Sequence, residues 1–468
     1  MTVRLKTGFR KLTASLAGAV VSAALAAPVA AESLADAMAG AYNHSGLLEQ
    51  NRALLRAADE DTAIALAATR PILNWSADVT RSFGSSFTQG NVAATTANAN
   101  LVAELLLYDF GASKLAIDAA KETVLATRQA LIGAEQSVLL RAVTAFMNVR
   151  REAENVALRQ NNVRLITKEL RAARDRFDVG EVTRTDVSLA EARLAASRSA
   201  LAGSQGGLAM AVQEYQAVVG RKPGNLVPPR HLPKTAKSMD AATAVALRTH
   251  PDMRKVQHEV TVAELNIKRA QAAMKPTVKL KGRLSVSETF NSPNYNNGGS
   301  IGVEASGPIY HGGRLSALAR QAMARRDAVR AGLHITRHGV RQNVGNAWAR
   351  LLVAQAARDA SQRQIRASRV AFRGVREEAT LGARTTLDVL NAEQELLNAQ
   401  AGLISAIADE YIAAYSVLAS MGLLTAEHLK LKVKRYDPAE YYNLIKSAPT
   451  VSKQGEKLDR VLRALQKD

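Results

Sequence analysis

The chain contains no cysteine, and only 4% of its 468 residues are aromatic. The missing cysteine excludes disulfide bonds, thiolate metal sites, a cysteine nucleophile and a lipid anchor attached to cysteine. The shortage of aromatic side chains, in a chain that is 47% apolar, disfavours the aromatic-rich core of a typical enzyme. It favours long, closely packed helices rich in alanine and leucine.

Recognisable catalytic and cofactor motifs are also missing. The sequence has no glycine-rich phosphate loop, no nucleophile elbow and no zinc signature, so we expect neither an enzyme nor a bound cofactor or metal. His334 and His338 are four residues apart, but no third ligand lies near them in the sequence, and a solvated helix face is the better explanation.

Acidic residues are scarce relative to basic ones. The 62 Lys and Arg residues outnumber the 42 Asp and Glu residues, so the formal charge is 62 − 42 = +20. Such an excess is common in nucleic-acid-binding proteins, but here the charges are spread along helices of an exported chain, and we expect no nucleic-acid partner.

Residues 1–31 have the pattern of an export signal. Basic residues in 4–11 precede a mostly small and apolar run at 12–27, and Val29-Ala30-Ala31 supplies small residues before a cleavage site. The apolar run is too short and too rich in alanine for a good membrane-spanning helix. No later stretch approaches 18 apolar residues, so we predict an exported mature chain without a transmembrane helix.

The rest of the chain is a tandem duplication. A segment that starts at Gly180 recurs at Gly382, and the offset is 382 − 180 = 202 residues. The matching pairs at this offset are Gly180/Gly382, Thr183/Thr385, Asp186/Asp388, Val187/Val389, Ala190/Ala392, Glu191/Glu393 and Leu194/Leu396. Pro71 and Pro276 pair at 205 residues, so the two copies differ by three residues in a loop.

Apolar and polar residues alternate in two stretches of each copy, which predicts two β-hairpins. The predicted strands are 72–84 and 98–109 in the first copy and 277–290 and 299–310 in the second, with polar loops near 84–98 and 291–300. Their length suits a bilayer, since a tilted spanning strand needs about 9–11 residues. Soluble hairpins packed on helices are the alternative.

Four membrane-spanning strands cannot close a barrel by themselves, because the smallest such barrels have about eight strands. Open sheet edges in lipid leave costly unpaired backbone groups. Two chains would share eight strands and three chains twelve. On the polar face, Lys279, Lys281 and Arg283 either line the barrel and favour anionic solutes or simply keep that face hydrated.

Heptads run through the remaining segments, for example Leu125, Ile132, Leu139 and Phe146, and they predict antiparallel helical hairpins whose tips lie at Gly180 and Gly382. A helix over 112–178 is roughly 100 Å long at about 1.5 Å per residue, and helices over 34–70 and 184–218 are each about half that. We therefore expect a tube wall with one full-length and two half-length helices per copy.

The chain resembles the TolC family of outer-membrane efflux and secretion ducts over residues 32–424. The resemblance is carried by the tip motifs Gly180-Glu-Val-Thr-Arg-Thr-Asp-Val187 and Gly382-Ala-Arg-Thr-Thr-Leu-Asp-Val389, and by the turns Tyr108-Asp-Phe-Gly111 and Tyr310-His-Gly-Gly313. It implies a mainly α fold with a small β part. Long antiparallel coiled-coil helices form an α-barrel, and four strands per chain contribute to a shared trimeric 12-stranded transmembrane β-barrel.

The resemblance also implies a setting. It places a homotrimer in the lipid of the outer membrane, extending into the periplasm, where it serves a periplasmic adaptor (membrane fusion) protein and an inner-membrane ABC or RND transporter. The implied domains are a signal peptide at 1–31, a first repeat at 32–220, a proline-rich equatorial connector at 221–241, a second repeat at 242–424 and a basic tail or equatorial segment at 425–468.

Two kinds of functional residue are implied at the closed periplasmic end. The acidic pore constriction of the family falls on Asp388, and the next acidic position falls on Asn391, which is neutral here. The gate latch maps onto Arg384 with Thr185 and Asp186. Helix N-capping, worth about 1 kcal/mol, is the alternative role for Asp186 and Asp388.

The hairpin tips are the implied contact surface for the adaptor, and they comprise Gly180, Val182, Gly382 and Ala383. Our leading hypothesis is a passive duct that opens by an iris-like motion of these tips. The alternative is a structural or adaptor protein of the periplasm, made of coiled coils and soluble hairpins. The sequence does not distinguish protein cargo from small molecules.

Overall fold

The computed structural model describes residues 32–86, 90–290, 293, 295–446, 456 and 460. The predicted signal peptide at 1–31 and, apart from residues 456 and 460, the predicted tail beyond residue 446 lie outside the described residues. The described chain is mainly helical and contains one four-stranded antiparallel sheet. The predicted fold class is confirmed.

The two copies have the same order of elements. The helices are α1 (Leu34–His44), α2 (Gly46–Ala67), α3 (Ala112–Asp178), α4 (Arg184–Val219), α5 (Met239–Thr249), α6 (Pro251–Ala272), α7 (Arg314–Thr380), α8 (Thr386–Ser420) and α9 (Pro438–Ile445). The strands are β1 (Ile72–Ser86), β2 (Gly90–Tyr108), β3 (Thr277–Phe290) and β4 (Tyr295–Ser306). Helices α3 and α7 both contain 67 residues, which corresponds to roughly 100 Å.

The single half-length helix expected over 34–70 is wrong, because the structure has two helices there. Ser45 adopts an extended conformation and ends α1, and its side chain accepts a hydrogen bond from the backbone nitrogen of Leu48 at the start of α2. Such a cap satisfies one of the free N–H groups of a helix start. The second copy breaks at the equivalent place, where Pro251 opens α6.

The polar loops predicted within the hairpins are largely wrong as well. Strand β2 begins at residue 90 instead of 98, and β4 begins at 295 instead of 299. The ladder between β1 and β2 continues to the pair Ser86 and Gly90. Backbone pairing does not depend on side-chain polarity, so polar residues can extend a sheet beyond the point where the alternating pattern stops.

Two helices, α3 and α8, contain windows of 18 residues that are long and apolar enough to cross a membrane by length and composition. These windows also contain polar and charged residues, so they are not the stretch of about 18 apolar residues that the sequence lacks after residue 31, and the absence of a transmembrane helix stays a prediction. Both helices carry buried apolar residues along their length, from Val124 to Ala173 in α3 and from Val389 to Leu418 in α8. We interpret the windows as packing surfaces of the helical wall.

The long helices hold the other helices together. In one half of the wall, α2 packs on α3, α3 on α6 and α6 on α7; in the other half, α4 packs on α3, α3 on α8 and α8 on α7. Each long helix therefore runs past two shorter helices of its own copy, one in each half, as the predicted lengths require. The outermost helices are α2 and α4 on one side and α7 on the other.

The largest hydrophobic cluster surrounds the middle of α3. Leu139 and Phe146 are fully buried there against the first helices, the ends of α4 and α8 and the segment that follows α8. The other completely buried large apolar side chains of this cluster are Leu48, Leu55, Val143, Met147, Tyr215, Leu418 and Leu424. The core thus lies at mid-height, where the half-length helices meet.

Glu32 fastens the start of the described chain to the connector after α4. Its carboxylate accepts hydrogen bonds from the Tyr215 hydroxyl at 2.7 Å, the Arg221 guanidinium at 2.5 Å and the Gly224 backbone nitrogen at 3.2 Å. Burial alone raises the pKa of Glu32, but these hydrogen bonds outweigh it and hold the pKa below its usual value of 4.5.

Replacing Glu32 with Gln should destabilise the protein by about 2 kcal/mol at pH 7, because hydrogen bonds to a charged group are lost. The folded-state pKa is lowered, so the stabilisation is present above about pH 4.5 and is lost as the pH falls through the folded-state pKa. Urea unfolding in detergent at several pH values measures both effects. Glu49→Gln at an exposed ion pair is the control, and a Glu32→Gln loss that persists at low pH would contradict the prediction.

Candidate functional site

The sheet has one mostly apolar face, which carries the charged residues Arg81 and Glu288 only toward the loop ends of the strands, and that face is exposed. Strand order is β1-β2-β3-β4, and directly paired residues such as Trp75, Leu101 and Leu284 lie on the same face. The large exposed members of the apolar face are Leu73, Trp75, Val79, Phe83, Leu101, Leu284, Val286, Phe290, Ile301 and Val303. Trp75 and Ile301 are each 80% exposed. Soluble hairpins packed on helices would bury these side chains, so the face is suited to lipid.

The opposite face is polar, and its side chains bond to one another across the strands. The cross-strand contacts are Asn98 with Asp78 at 2.8 Å, Arg283 with Asn100 at 2.8 Å, Lys279 with Glu104 at 3.3 Å and Lys281 with Glu304 at 2.9 Å. The two lysines that the sequence offered as possible anion-selecting groups are thus paired with carboxylates. These ion pairs make the polar face locally charge-compensated.

Both outer edges of the sheet lack a strand partner within the described part of the chain. Strand β1 pairs only with β2, and β4 pairs only with β3. In the hydrocarbon of a bilayer, each unpaired backbone N–H or C=O group costs several kcal/mol. A sheet with an apolar exposed face and two open edges therefore needs further strands.

The hairpin tips at the far ends of α3 and α7 have the same hydrogen bonds. Gly180 and Gly382 adopt left-handed conformations with φ of 81° and 77°, which favour glycine. The residue after each glycine closes the tip: Glu181 N donates to Arg176 O, and Ala383 N donates to Glu378 O, both at 2.9 Å. The two tips therefore share these backbone hydrogen bonds as well as their sequence motif.

Both predicted acidic tip residues take part in helix capping. The Thr183 and Thr385 side chains cap α4 and α8, and the carboxylates of Asp186 and Asp388 accept hydrogen bonds in return from the threonine backbone nitrogens at 3.0 Å. The backbone and side-chain hydrogen bonds from Thr385 hold the pKa of Asp388 below 3.8. Asp388 is therefore ionised at neutral pH in this chain.

Within one chain, the predicted latch residues do not meet. The Arg384 guanidinium donates a hydrogen bond at 2.7 Å to the carboxylate of Glu378, which lies in the last turn of α7. It does not donate to Thr185 or Asp186 of the same chain. The predicted adaptor residues Gly180, Gly382 and Ala383 are exposed, and Val182 is half-buried. The assigned roles of these residues remain predictions.

Two polar contacts that join the two hairpins near the tips were missed from the sequence. Arg193 on α4 donates to the side-chain oxygen of Asn391 at 2.9 Å, and Asn162 on α3 donates to Glu393 at 2.8 Å. A signal for the second contact was present: Glu393 lies three residues after Leu390, at a seam position of the heptad pattern, where a charged side chain is unexpected.

Among the described residues, no group of three or more His, Asp or Glu side chains is placed to hold a metal ion. His334 and His338 are both exposed on α7. The described chain has an exposed, mostly apolar sheet face at one end of its long helices and two tips with matching hydrogen bonds at the other.

Comparison with known proteins gives consistent matches. The model of the outer membrane efflux protein family matches residues 40–221 and 243–423. The outer membrane efflux protein BepC of Brucella suis is 36% identical, over 88% of this chain and 90% of its own length. The alkaline protease secretion protein AprF of Pseudomonas aeruginosa is 25% identical, over 60% of each chain. In fold, the chain matches the crystal structure of CusC with a TM-score of 0.73, at 19% identity, over 83% of this chain and 91% of that chain.

Leu73→Arg, in the row of apolar and small residues formed by Leu73, Ala103, Gly282 and Ile301, should destabilise the folded sheet in lipid by about 2–4 kcal/mol. Asn74→Arg places the same side chain on the polar face and should cost much less. Urea titration of the two variants folded into phospholipid vesicles measures the difference. Equal losses for the two variants would show that the apolar face does not contact lipid.

Proposed function

This chain belongs to the outer membrane efflux protein family, and from that premise we propose that three copies close a single duct that runs from the outer membrane through the periplasm. The protein lies in the outer membrane and is a channel of efflux or type I secretion systems. The predicted relation to the TolC family is confirmed. The alternative of a periplasmic structural or adaptor protein is not favoured.

The observation that carries the proposal is the amphipathic sheet with two open edges. Joining β4 of one copy to β1 of the next pairs both edges and keeps every apolar face on the lipid side. Two copies would make an eight-stranded barrel, whose interior is just wide enough to be filled by side chains. Three copies make twelve strands, which leave space for the hydrated polar face to line a lumen.

The helical wall continues the duct for roughly 100 Å below the sheet. Helix α7 forms one edge of the wall, and α2 and α4 form the other, so each copy offers one side to the next. Exposed apolar residues on these edge helices include Leu47, Leu54 and Ile64 on α2 and Leu318 and Ile335 on α7. Contact between copies would cover such side chains, as closure of a tube requires.

The proposed duct is passive, because the family consists of channels and not of enzymes. We propose that it has no catalytic site and no cofactor, and that a periplasmic adaptor and an inner-membrane ABC or RND transporter supply the driving force. The adaptor would contact the tips at Gly180, Val182, Gly382 and Ala383. The names of BepC and AprF cover efflux and protease secretion, and both kinds of cargo suit a passive duct.

The gate in this proposal is at the tips. Three copies of Asp388, ionised at neutral pH, form a negatively charged ring at the constriction, and Asn391 forms a neutral ring beside it. Arg384 latches the closed state by exchanging its bond with Glu378 for contacts with Thr185 and Asp186 of a neighbouring hairpin. Release of this latch allows the tips to move apart.

Assembly can be tested on membranes of cells that express the chain. The protein should fractionate with the outer membrane, and amine-reactive cross-linking should produce a species of three times the chain mass, since only shared strands close the sheet. The purified species should conduct ions in planar lipid bilayers. Recovery in the soluble periplasm, or a cross-linked species that stops at the dimer, would overturn the proposed duct.

Removal of the latch should open the gate. Single channels of Arg384→Ala in planar bilayers should have a several-fold higher conductance than the parent, because the closed arrangement of tips loses a charge-assisted contact. Arg184→Ala removes an exposed arginine from the other tip and should leave the conductance unchanged. If the two variants behave alike, Arg384 has no part in the gate.

A further inference from the structure

Two polar contacts tie the first hairpin to α8 just above the tips. They involve Asn162 with Glu393 and Arg193 with Asn391, and we call these four residues the hairpin joint. Glu393 is the eighth residue of α8, so the joint lies about 10 Å from the helix start. The joint connects the α3–α4 hairpin to the α7–α8 hairpin within one chain. Any motion that separates these hairpins at the tips must break it.

Among the four residues of the hairpin joint, Glu393 is the one whose charged form is disfavoured by its surroundings. Its side chain is buried, with 5% of the residue exposed, and one carboxylate oxygen accepts a hydrogen bond from the Asn162 side chain at 2.8 Å. The other oxygen is buried and has no hydrogen-bond partner among the residues that the structure describes. A buried carboxylate with a free oxygen is costly, whereas a neutral carboxyl group in the same place is not.

The charged groups that face Glu393 do not offset this cost. Glu169 on α3 repels the ionised form, and Arg376 on α7 attracts it, but these two side chains also pair with each other at 3.8 Å. On α4, Arg193 is bonded to Asn391. Burial is the largest influence and raises the pKa of Glu393, the Asn162 hydrogen bond lowers it, and the outcome is a pKa of about 7.

The other copy of the duplication shows that this burial is specific to the joint. Glu191 occupies the equivalent position, 202 residues earlier, in the same motif. Its side chain is exposed and pairs with Arg174 at 2.5 Å inside its own hairpin. The shared helix start therefore does not require a buried glutamate, and the environment of Glu393 arises from the contact between hairpins.

We propose that Glu393 is a positioning residue for the gate: its neutral carboxyl holds the hairpin joint together, and its ionisation loosens the joint and favours opening. The inference rests on the proposed function, since it assumes a duct whose tips separate. It assigns a role to a side chain that lines neither the pore nor the outer surface of the chain.

The direction of the pH effect follows from the two states of the joint. In the separated state Glu393 is in water with its usual pKa of 4.5, and in the joined state the pKa is about 7. The joint has its full strength below pH 4.5, weakens by up to about tenfold per pH unit in each chain as the pH rises, and changes no further above pH 7. Opening should thus increase from acidic to neutral pH and then level off.

Single-channel recording with the pH varied on the side of the tips tests this. The open fraction of the parent should rise between pH 5 and 7 and stay constant from 7 to 8. Glu393→Gln, an uncharged side chain of the same shape, should have an open fraction that does not change with pH and does not exceed the parent's value at pH 5. Glu395→Gln removes the same charge from an exposed position of the same helix and should retain the parent profile. A pH-dependent Glu393→Gln channel would overturn the proposal.

Two further variants separate the joint from the constriction. Asp388→Asn should retain the rise between pH 5 and 7, because the pKa of Asp388 lies below this window. Asn162→Ala removes the hydrogen bond that lowers the pKa of Glu393, so the midpoint of the rise should move to higher pH. This variant also serves if Glu393→Gln does not assemble. An unchanged midpoint, or loss of the rise in Asp388→Asn, would contradict the role of Glu393.

The outcomes distinguish this inference from the function on which it rests. A parent protein that does not conduct contradicts the proposed duct itself. A parent that conducts with the same open fraction from pH 5 to 8 leaves the duct intact and contradicts only the role of Glu393.

Discussion

The need to pair the backbone within lipid governs this protein. A membrane-spanning sheet cannot leave its edges open, and β1 and β4 are both open within one chain. The sheet of a single copy is therefore incomplete within the membrane. The sheet can close only when copies combine, and the number of copies that combine sets how many helices surround the space below. The length of α3 and α7 then sets the distance between the tips and the sheet, roughly 100 Å.

The parts of the fold that depend on local sequence were predictable. The heptads and the tip glycine led to the correct bounds for α3, and the alternating pattern identified all four strands. Errors arose where another interaction overrode the pattern. A side-chain cap at Ser45 divided a helix, and backbone pairing carried strands through residues whose polarity suggested loops.

The candidate site was less predictable, because it depends on contacts between distant parts of the chain. The capping role of Asp388 could be read from its own helix start. The contact between Asn162 and Glu393 joins residues 231 positions apart, and heptads do not state which helix faces which. Position in the duplication was no guide either: Glu191 and Glu393 match in sequence but face water and protein, respectively. Duplication conserved the local structure while the surroundings of each copy diverged.

The equal lengths of α3 and α7 restrict how such a chain can change in size. Both long helices have 67 residues, and each returns through a shorter helix to the same mid-height core. Deletion of one heptad from α3 alone would shorten it by about 10 Å and leave the two hairpins of unequal length. A shorter or longer tube therefore requires matched insertions or deletions in α3, α4, α7 and α8 together. The two copies of the repeat must therefore keep the same length as each other.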